Sequence, residues 1–179
     1  LAWMRRVRGT PLPAGTSLGN AERVLHEMEF HLPLEDADTR ALRAHLAAHG
    51  YGDAPLALDV VRGMMRGFVD LVLEHDGRFW IVDYKSNWLG ADGSAYGPEA
   101  LAASVREHRY DLQYLIYCVA LRRLLRARLG PDGAERFGGV LYLFLRGMDG
   151  ASERGIHLDH PPVELLDALD AVFAGRTAA

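Results

Sequence analysis

The stretch GFVDLVLEHDGRFWIVDYK, residues 67–85, decides the fold. Its two runs, 67–74 and 78–85, are rich in aromatic and β-branched residues, and His75-Asp76-Gly77 lies between them. Asp-Gly between such runs is a strong short-range signal for a β-hairpin. With Asp76-Gly77 as a two-residue turn, position 75 faces 78 and every facing pair sums to 153, which sets Asp70 opposite Asp83. Successive side chains alternate between the faces of a strand, so Asp83 and Lys85 share a face, roughly 7 Å apart.

Directly opposed residues have Cβ atoms about 5 Å apart, and like charges in that position destabilise a sheet. Both carboxylates also sit in apolar sequence, where an unpaired charge is costly or shifts its pKa. A positive charge is therefore expected between them. Lys85 supplies one within an Asp–Lys–Asp ion cluster. A divalent cation supplies another, since Mg²⁺ takes one or two carboxylates together with water and phosphate oxygens. The spacing alone leaves both open.

Working outward, residues 138–145 (GGVLYLFL) read as a buried strand. Residues 98–129 read as a helical region opened by Pro98-Glu99, a favoured first-turn pair, with a break near His108. Residues 23–34 read as a strand ending at a proline, 36–49 as a helix stopped by Gly50, and 162–174 as a short amphipathic helix. Residues 9–20 and 86–97 read as loops, and 52–63 are ambiguous. Strands among long helices predict an α/β layer fold. The length of 179 residues suits a single domain, with 1–21 as a partly irregular lead-in.

Composition narrows the function. Apolar residues make up 49 % of the chain, which is that of a globular domain with a core. A net charge of −4 argues against nucleic-acid binding through overall charge, so a local basic strip or a metal would have to offset it. The lone Cys118 rules out an intrachain disulfide or a cysteine metal cluster, is expected to pack in the core, and fits a reducing, cytoplasmic location. No run of about 18 apolar residues occurs, so no membrane-spanning helix is expected. There is no G-x-x-x-x-G-K-[ST] phosphate loop.

Three further features carry expectations. His45 and His49 stand four apart, but the segment HLAAH lacks the glutamate of a zinc-protease helix and reads as a solvated face. Arg122, Arg123, Arg126 and Arg128 read as a solvated basic helix end that complements the helix dipole. Tyr110, Gln113 and Tyr117 recur at helical spacing beside an apolar stripe, as either core or groove lining. Trp80 and Tyr84 alternate to the strand face away from Asp83 and are expected under a helix.

The segments GFVD at 67–70 and IVDYKSN at 81–87 resemble the PD-(D/E)xK nuclease superfamily. With DYKSNWLG at 83–90, HRYDLQY at 108–114 and FGGVLYLFLRG at 137–147, the chain is similar from about residue 22 onward to the C-terminal nuclease domains of exodeoxyribonuclease V-type helicase–nucleases. The resemblance implies a restriction-endonuclease-like core, a mixed sheet flanked by helices with the active site on a hairpin. It implies a Mg²⁺-dependent deoxyribonuclease, with Ca²⁺ or Mn²⁺ as stand-ins in vitro, acting on DNA that is single-stranded at the site. The parent assembly would be the heterotrimer with γ and α subunits that processes double-strand breaks, with no membrane partner.

The same resemblance assigns roles. Asp70, Asp83 and the Tyr84 carbonyl would hold the metal, and Lys85 would activate water and stabilise charge on the phosphate. Gln113, Tyr117 and the adjacent Tyr114 would contact DNA. An acid on the first strand completes the set, and Glu27 is preferred over Glu29, both expected on one face. The family's upstream metal-ligating histidine, in a G-x-x-x-H setting, has no counterpart before residue 23. The chain is therefore expected to be truncated on its N-terminal side and to bind metal weakly. An interaction module that has lost catalysis is the alternative.

Overall fold

The computed structural model describes residues 2–52 and 60–176. In chain order these are α1 (Ala2–Gly9), β1 (Arg23–Asp38), α2 (Thr39–Ala48), β2 (Val60–His75), β3 (Arg78–Lys85), α3 (Pro98–Glu107), α4 (Tyr110–Leu129), β4 (Phe137–Phe144), β5 (Ile156–Asp159) and α5 (Val163–Phe173). The strands form one sheet in the order β1-β2-β3-β4-β5. The β3–β4 pair is parallel and the other pairs are antiparallel, so the sheet is mixed. A parallel pair needs a long crossover, which α3 and α4 supply.

The hairpin turn follows from its two residues. Asp76 has φ 47° and Gly77 φ 70°, both left-handed, the requirement of the tight turn whose twist matches the strands. The register is the one read from the sequence: His75 pairs with Arg78, Leu73 with Trp80, and Leu71 with Val82.

The sheet buries both faces. Met28, Val72, Ile81, Val140, Tyr142 and Phe144 face a layer formed by α2 to α5, where Leu46, Leu101, Leu115 and Leu165 are buried. Leu71, Leu73, Trp80, Val82, Leu141 and Leu143 face the lead-in, whose Val7 on α1 and Leu12 cover them. Trp80 thus lies on the face that the lead-in covers, whereas Tyr84, also expected under a helix, is 36 % exposed.

Several boundaries move. The first strand runs through Pro33 to Asp38, because β1 is an edge strand, where a residue without an N–H is tolerated. The next helix therefore begins only at Thr39, and the Asp38 side chain accepts from Arg40 N–H and Ala41 N–H as its N-cap. Of the ambiguous 52–63, residues 53–59 lie outside the described residues and 60–63 open β2. The long helix does break near His108: that residue caps α3, and Arg109, at φ 55°, starts α4. Helix α1 and strand β5 were not expected. The first falls in the lead-in that reads as irregular, and the second is only four residues long.

β5 also carries a pH-sensitive group. His157 packs against Tyr114, its Nε2 is buried without a hydrogen-bond partner among the described residues, and burial lowers its pKa below the ordinary 6.5 against the opposing pull of Asp159. The folded state therefore favours the neutral ring. The stability this contributes is present above the unfolded pKa of about 6.5 and is lost as pH falls toward the lower folded value. His157→Gln is expected to shrink the loss of denaturation midpoint between about pH 7.5 and pH 5.5. An undiminished loss in urea titrations at the two pH values would remove His157 from the acid response.

Candidate active site

Asp83 and Lys85 alternate onto the helix-covered face at the end of β3 and are both buried, at 4 % and 8 % exposure. The Lys85 ammonium lies 2.6 Å from Asp83 Oδ2. Burial is the largest influence on the Asp83 carboxyl and raises its pKa, the hydrogen bond and charge of Lys85 lower it, and the nearby Asp70 raises it again. The last β2–β3 pair is Leu71 with Val82, one step before Asp70 and Asp83. Beyond it the Asp70 side chain replaces the ladder, with Oδ2 accepting from Tyr84 N–H at 3.0 Å.

Helix α4 and strand β4 complete the enclosure. Gln113 Oε1 accepts from Lys85 Nζ at 3.0 Å and from the Tyr142 hydroxyl at 2.9 Å. Gln113 Nε2 donates to the Tyr117 hydroxyl at 2.9 Å. The ammonium lies 3.9 Å from the ring centre of Tyr110 and 4.5 Å from that of Tyr142, cation–π distances that hold a charge where water is scarce. Burial first, then the charges of Asp83 and Asp70, push the Tyr117 phenol up to about 12 despite the Gln113 hydrogen bond. Of the three residues expected as a nucleic-acid contact on α4, Gln113 and, through it, Tyr117 are here joined to Lys85.

The first-strand acid is separated by the backbone. His26 pairs with Leu71 and Met28 with Val69, which brackets Glu27 opposite Asp70. Val72 and Val69, three apart, both lie in the helix-covered core, so the strands skip a pleat at this row. Glu27 has φ 50°, a left-handed conformation that costs a non-glycine residue about 1–3 kcal/mol and recurs at functional sites. Irregularities of this kind re-aim side chains. Glu29 instead pairs with Arg66 at 2.5 Å and with His31 at 3.5 Å. The two glutamates therefore do not share an environment.

Other expected features go elsewhere. Tyr114 is 3 % exposed and packs edge-on against Tyr51 and Tyr142, so it is a core residue without a surface to offer DNA. Arg122, Arg123 and Arg126 are not a solvated face. They pair with Asp167 and Asp170 and clamp α4 to α5, with Arg122 only 5 % exposed. The His49 ring bonds the His45 carbonyl at 2.8 Å, a local contact within the helix end. Cys118 is buried, and burial raises its thiol well above the ordinary range. Tyr142, fully buried at the centre of the network, was missed because it stands in an apolar strand. The signal was available: a buried tyrosine hydroxyl needs a partner.

The donor set suits a hard divalent cation. Among the described residues, Asp83 uses only Oδ2 toward Lys85 and Asp70 only Oδ2 toward Tyr84, which leaves one carboxylate oxygen on each. Glu22, His75 and Asp76 form a second group with ligand atoms within 4.8 Å of one another, but it sits at the hairpin turn, away from this row.

A mixed sheet, a D…D-x-K hairpin and a caged lysine define a nuclease of the PD-(D/E)XK type, and the chain belongs to that superfamily, whose profile matches residues 5–177. Members use divalent metal ions. The chain is 44 % identical to the RecBCD enzyme subunit RecB of Escherichia coli K12, over 98 % of this chain and 16 % of the relative. It is 40 % identical to that of Haemophilus influenzae, over 96 % of this chain and 15 % of the relative. It is 36 % identical to that of Mycobacterium tuberculosis H37Rv, over 93 % of this chain and 19 % of the relative. The chain thus spans less than a fifth of the length of these relatives. Among the described residues, no helix is long and apolar enough to cross a membrane.

Proposed function

We propose that this chain is the Mg²⁺-dependent DNA-cleaving domain of a RecB-type subunit, hydrolysing phosphodiester bonds in single strands delivered by a helicase during double-strand-break repair. Its partners are then DNA and the γ and α chains of an exodeoxyribonuclease V assembly in the cytoplasm. The observation that carries this reading is the buried Asp83–Lys85 pair at the end of β3, with the lysine held by Gln113 and the Asp70 carboxylate bonded to the N–H of Tyr84 between them. An interaction module would have no use for a buried Asp83–Lys85 pair, whose desolvation is expensive.

Mg²⁺ held by Asp70, Asp83 and the Tyr84 carbonyl would supply Lewis acidity toward a phosphate oxygen and a bound water of lowered pKa. The Lys85 ammonium has three N–H donors, of which Asp83 and Gln113 take two. The third serves a phosphate oxygen and stabilises charge as it develops there. Gln113 fixes the direction of that donor through its own bonds to Tyr142 and Tyr117. Glu27, set across from Asp70, supplies the acid of the first strand.

The test is cleavage of a labelled single-stranded oligonucleotide. Products are expected with Mg²⁺ and not in EDTA, and Asp70→Asn should abolish them. Glu27→Gln is expected to lower the rate about 10–100-fold, the usual loss when a group supporting a metal site is removed, while Glu29→Gln changes it little. Cleavage that persists in EDTA, or in Asp70→Asn, would overturn the reading.

A further inference from the structure

Trp88 is 65 % exposed, more than any other large apolar side chain among the described residues. An indole left in water forgoes the burial that stabilises a fold. The loop that presents it is braced. The hydroxyl of the buried Tyr96 donates to the Asn87 carbonyl at 3.3 Å and accepts from Leu89 N–H at 3.3 Å. The Tyr110 hydroxyl, from the residue that cages Lys85, donates to Asn87 Oδ1 at 3.2 Å. The residues on both sides of Trp88 are therefore held while its side chain points out.

Arg146 stands beside it. Leu145 N–H donates to the Lys85 carbonyl at 2.9 Å, and Arg146 Nε donates to the Ser86 carbonyl at 2.9 Å. The guanidinium carbon lies 5.8 Å from the Trp88 ring centre. Among the described residues, no carboxylate pairs with this arginine, although Arg154 nearby is taken by Asp149. An exposed indole and a guanidinium without a carboxylate partner thus adjoin each other, Trp88 three residues from Lys85, a span of at most about 10 Å of chain, and Arg146 next to the residue bonded to the Lys85 carbonyl.

We propose that Trp88 and Arg146 form a subsite for an unpaired nucleotide next to the cleaved phosphate, the indole stacking on the base and the guanidinium meeting the flanking phosphate. This rests on the DNA-cleaving reading above. Base stacking on an aromatic face tolerates any sequence, and arginine matches phosphate with its planar fork of donors. A duplex cannot use the indole, because its base faces are already stacked on one another. The subsite therefore selects single strands.

The experiment titrates the chain in EDTA with a labelled single-stranded oligonucleotide and with a blunt duplex of equal length. Fluorescence anisotropy follows the DNA and indole quenching follows the protein. Trp88→Ala is expected to weaken single-strand binding about 5–100-fold and leave duplex binding unchanged, while Trp88→Phe recovers most of the affinity. With Mg²⁺, Trp88→Ala should raise KM and leave kcat nearly unaltered, the signature of lost uniform binding. Its melting temperature should match the wild type, since the side chain is exposed. Equal single-strand affinity in Trp88→Ala, an equal loss on duplex, or a fall in kcat alone overturns the subsite. The nuclease reading fails separately, if the wild type does not cleave in Mg²⁺, and the EDTA titration still decides the subsite in that case.

Discussion

Lys85→Met is expected to lower Mg²⁺-dependent cleavage about 10²–10³-fold, the range lost when one preorganised group aimed at developing charge is removed. Methionine keeps an unbranched apolar chain between Tyr110 and Tyr142, so the space is filled and only the ammonium goes. The missing charge acts first on its neighbour. Asp83 loses the one partner that lowers its pKa, and burial and the Asp70 charge, which both raise it, act unopposed. Removing one member of a buried pair costs about 3–5 kcal/mol when the other stays charged. Here the carboxyl can take up a proton, so the stability loss should fall short of that range at low pH and grow as pH rises. Oligonucleotide cleavage and urea denaturation at two pH values measure both. Wild-type cleavage by Lys85→Met would remove the lysine from the chemistry.

Phe144→Ala is expected to destabilise the fold by about 3–5 kcal/mol, the cost of emptying a fully buried aromatic site. Phe144 is among the largest completely buried side chains and ends β4 within the helix-covered core. For a chain of this length that corresponds to a melting temperature lower by roughly 6–20 °C. Its strand partner is Lys85, so cleavage should also weaken as the temperature approaches the lowered transition. Calorimetry checks the first effect and a temperature series of cleavage the second. A loss below about 1 kcal/mol would mean that the site collapses around the smaller side chain.

The hairpin was legible because its information is local. An Asp-Gly turn and period-two alternation determine which residues face each other, and Leu71 opposite Val82 comes from arithmetic. The break at Glu27 and Asp70 was not legible. It needs a glutamate in a left-handed conformation that no residue type announces. The arginines of α4 read as solvated because their partners, Asp167 and Asp170, lie more than 40 positions away on a helix whose docking periodicity alone does not reveal. Tyr110, Tyr114 and Tyr117 recur along one helix, yet two join the Lys85 site and one enters the core, because spacing gives the direction of a side chain and not what lies across from it. Pro33 looked like a strand end only because the edge position of β1 depends on the whole sheet.

The parallel pairing of β3 with β4 has a consequence for how the protein acquires activity. The hairpin holds both aspartates and Lys85 through contacts close in sequence, and such contacts form early and fast. The groups that hold the lysine in place, Gln113 and Tyr142, arrive only when a long crossover has closed and the distant β4 has docked. Closing that loop is expected to be slower than forming the hairpin, since its entropy is lost before its contacts form. A chain with only the hairpin formed would therefore carry both aspartates but no positioned lysine. On the proposed roles, full cutting power would arrive only with complete tertiary structure, and a nascent or misfolded copy would be a poor nuclease.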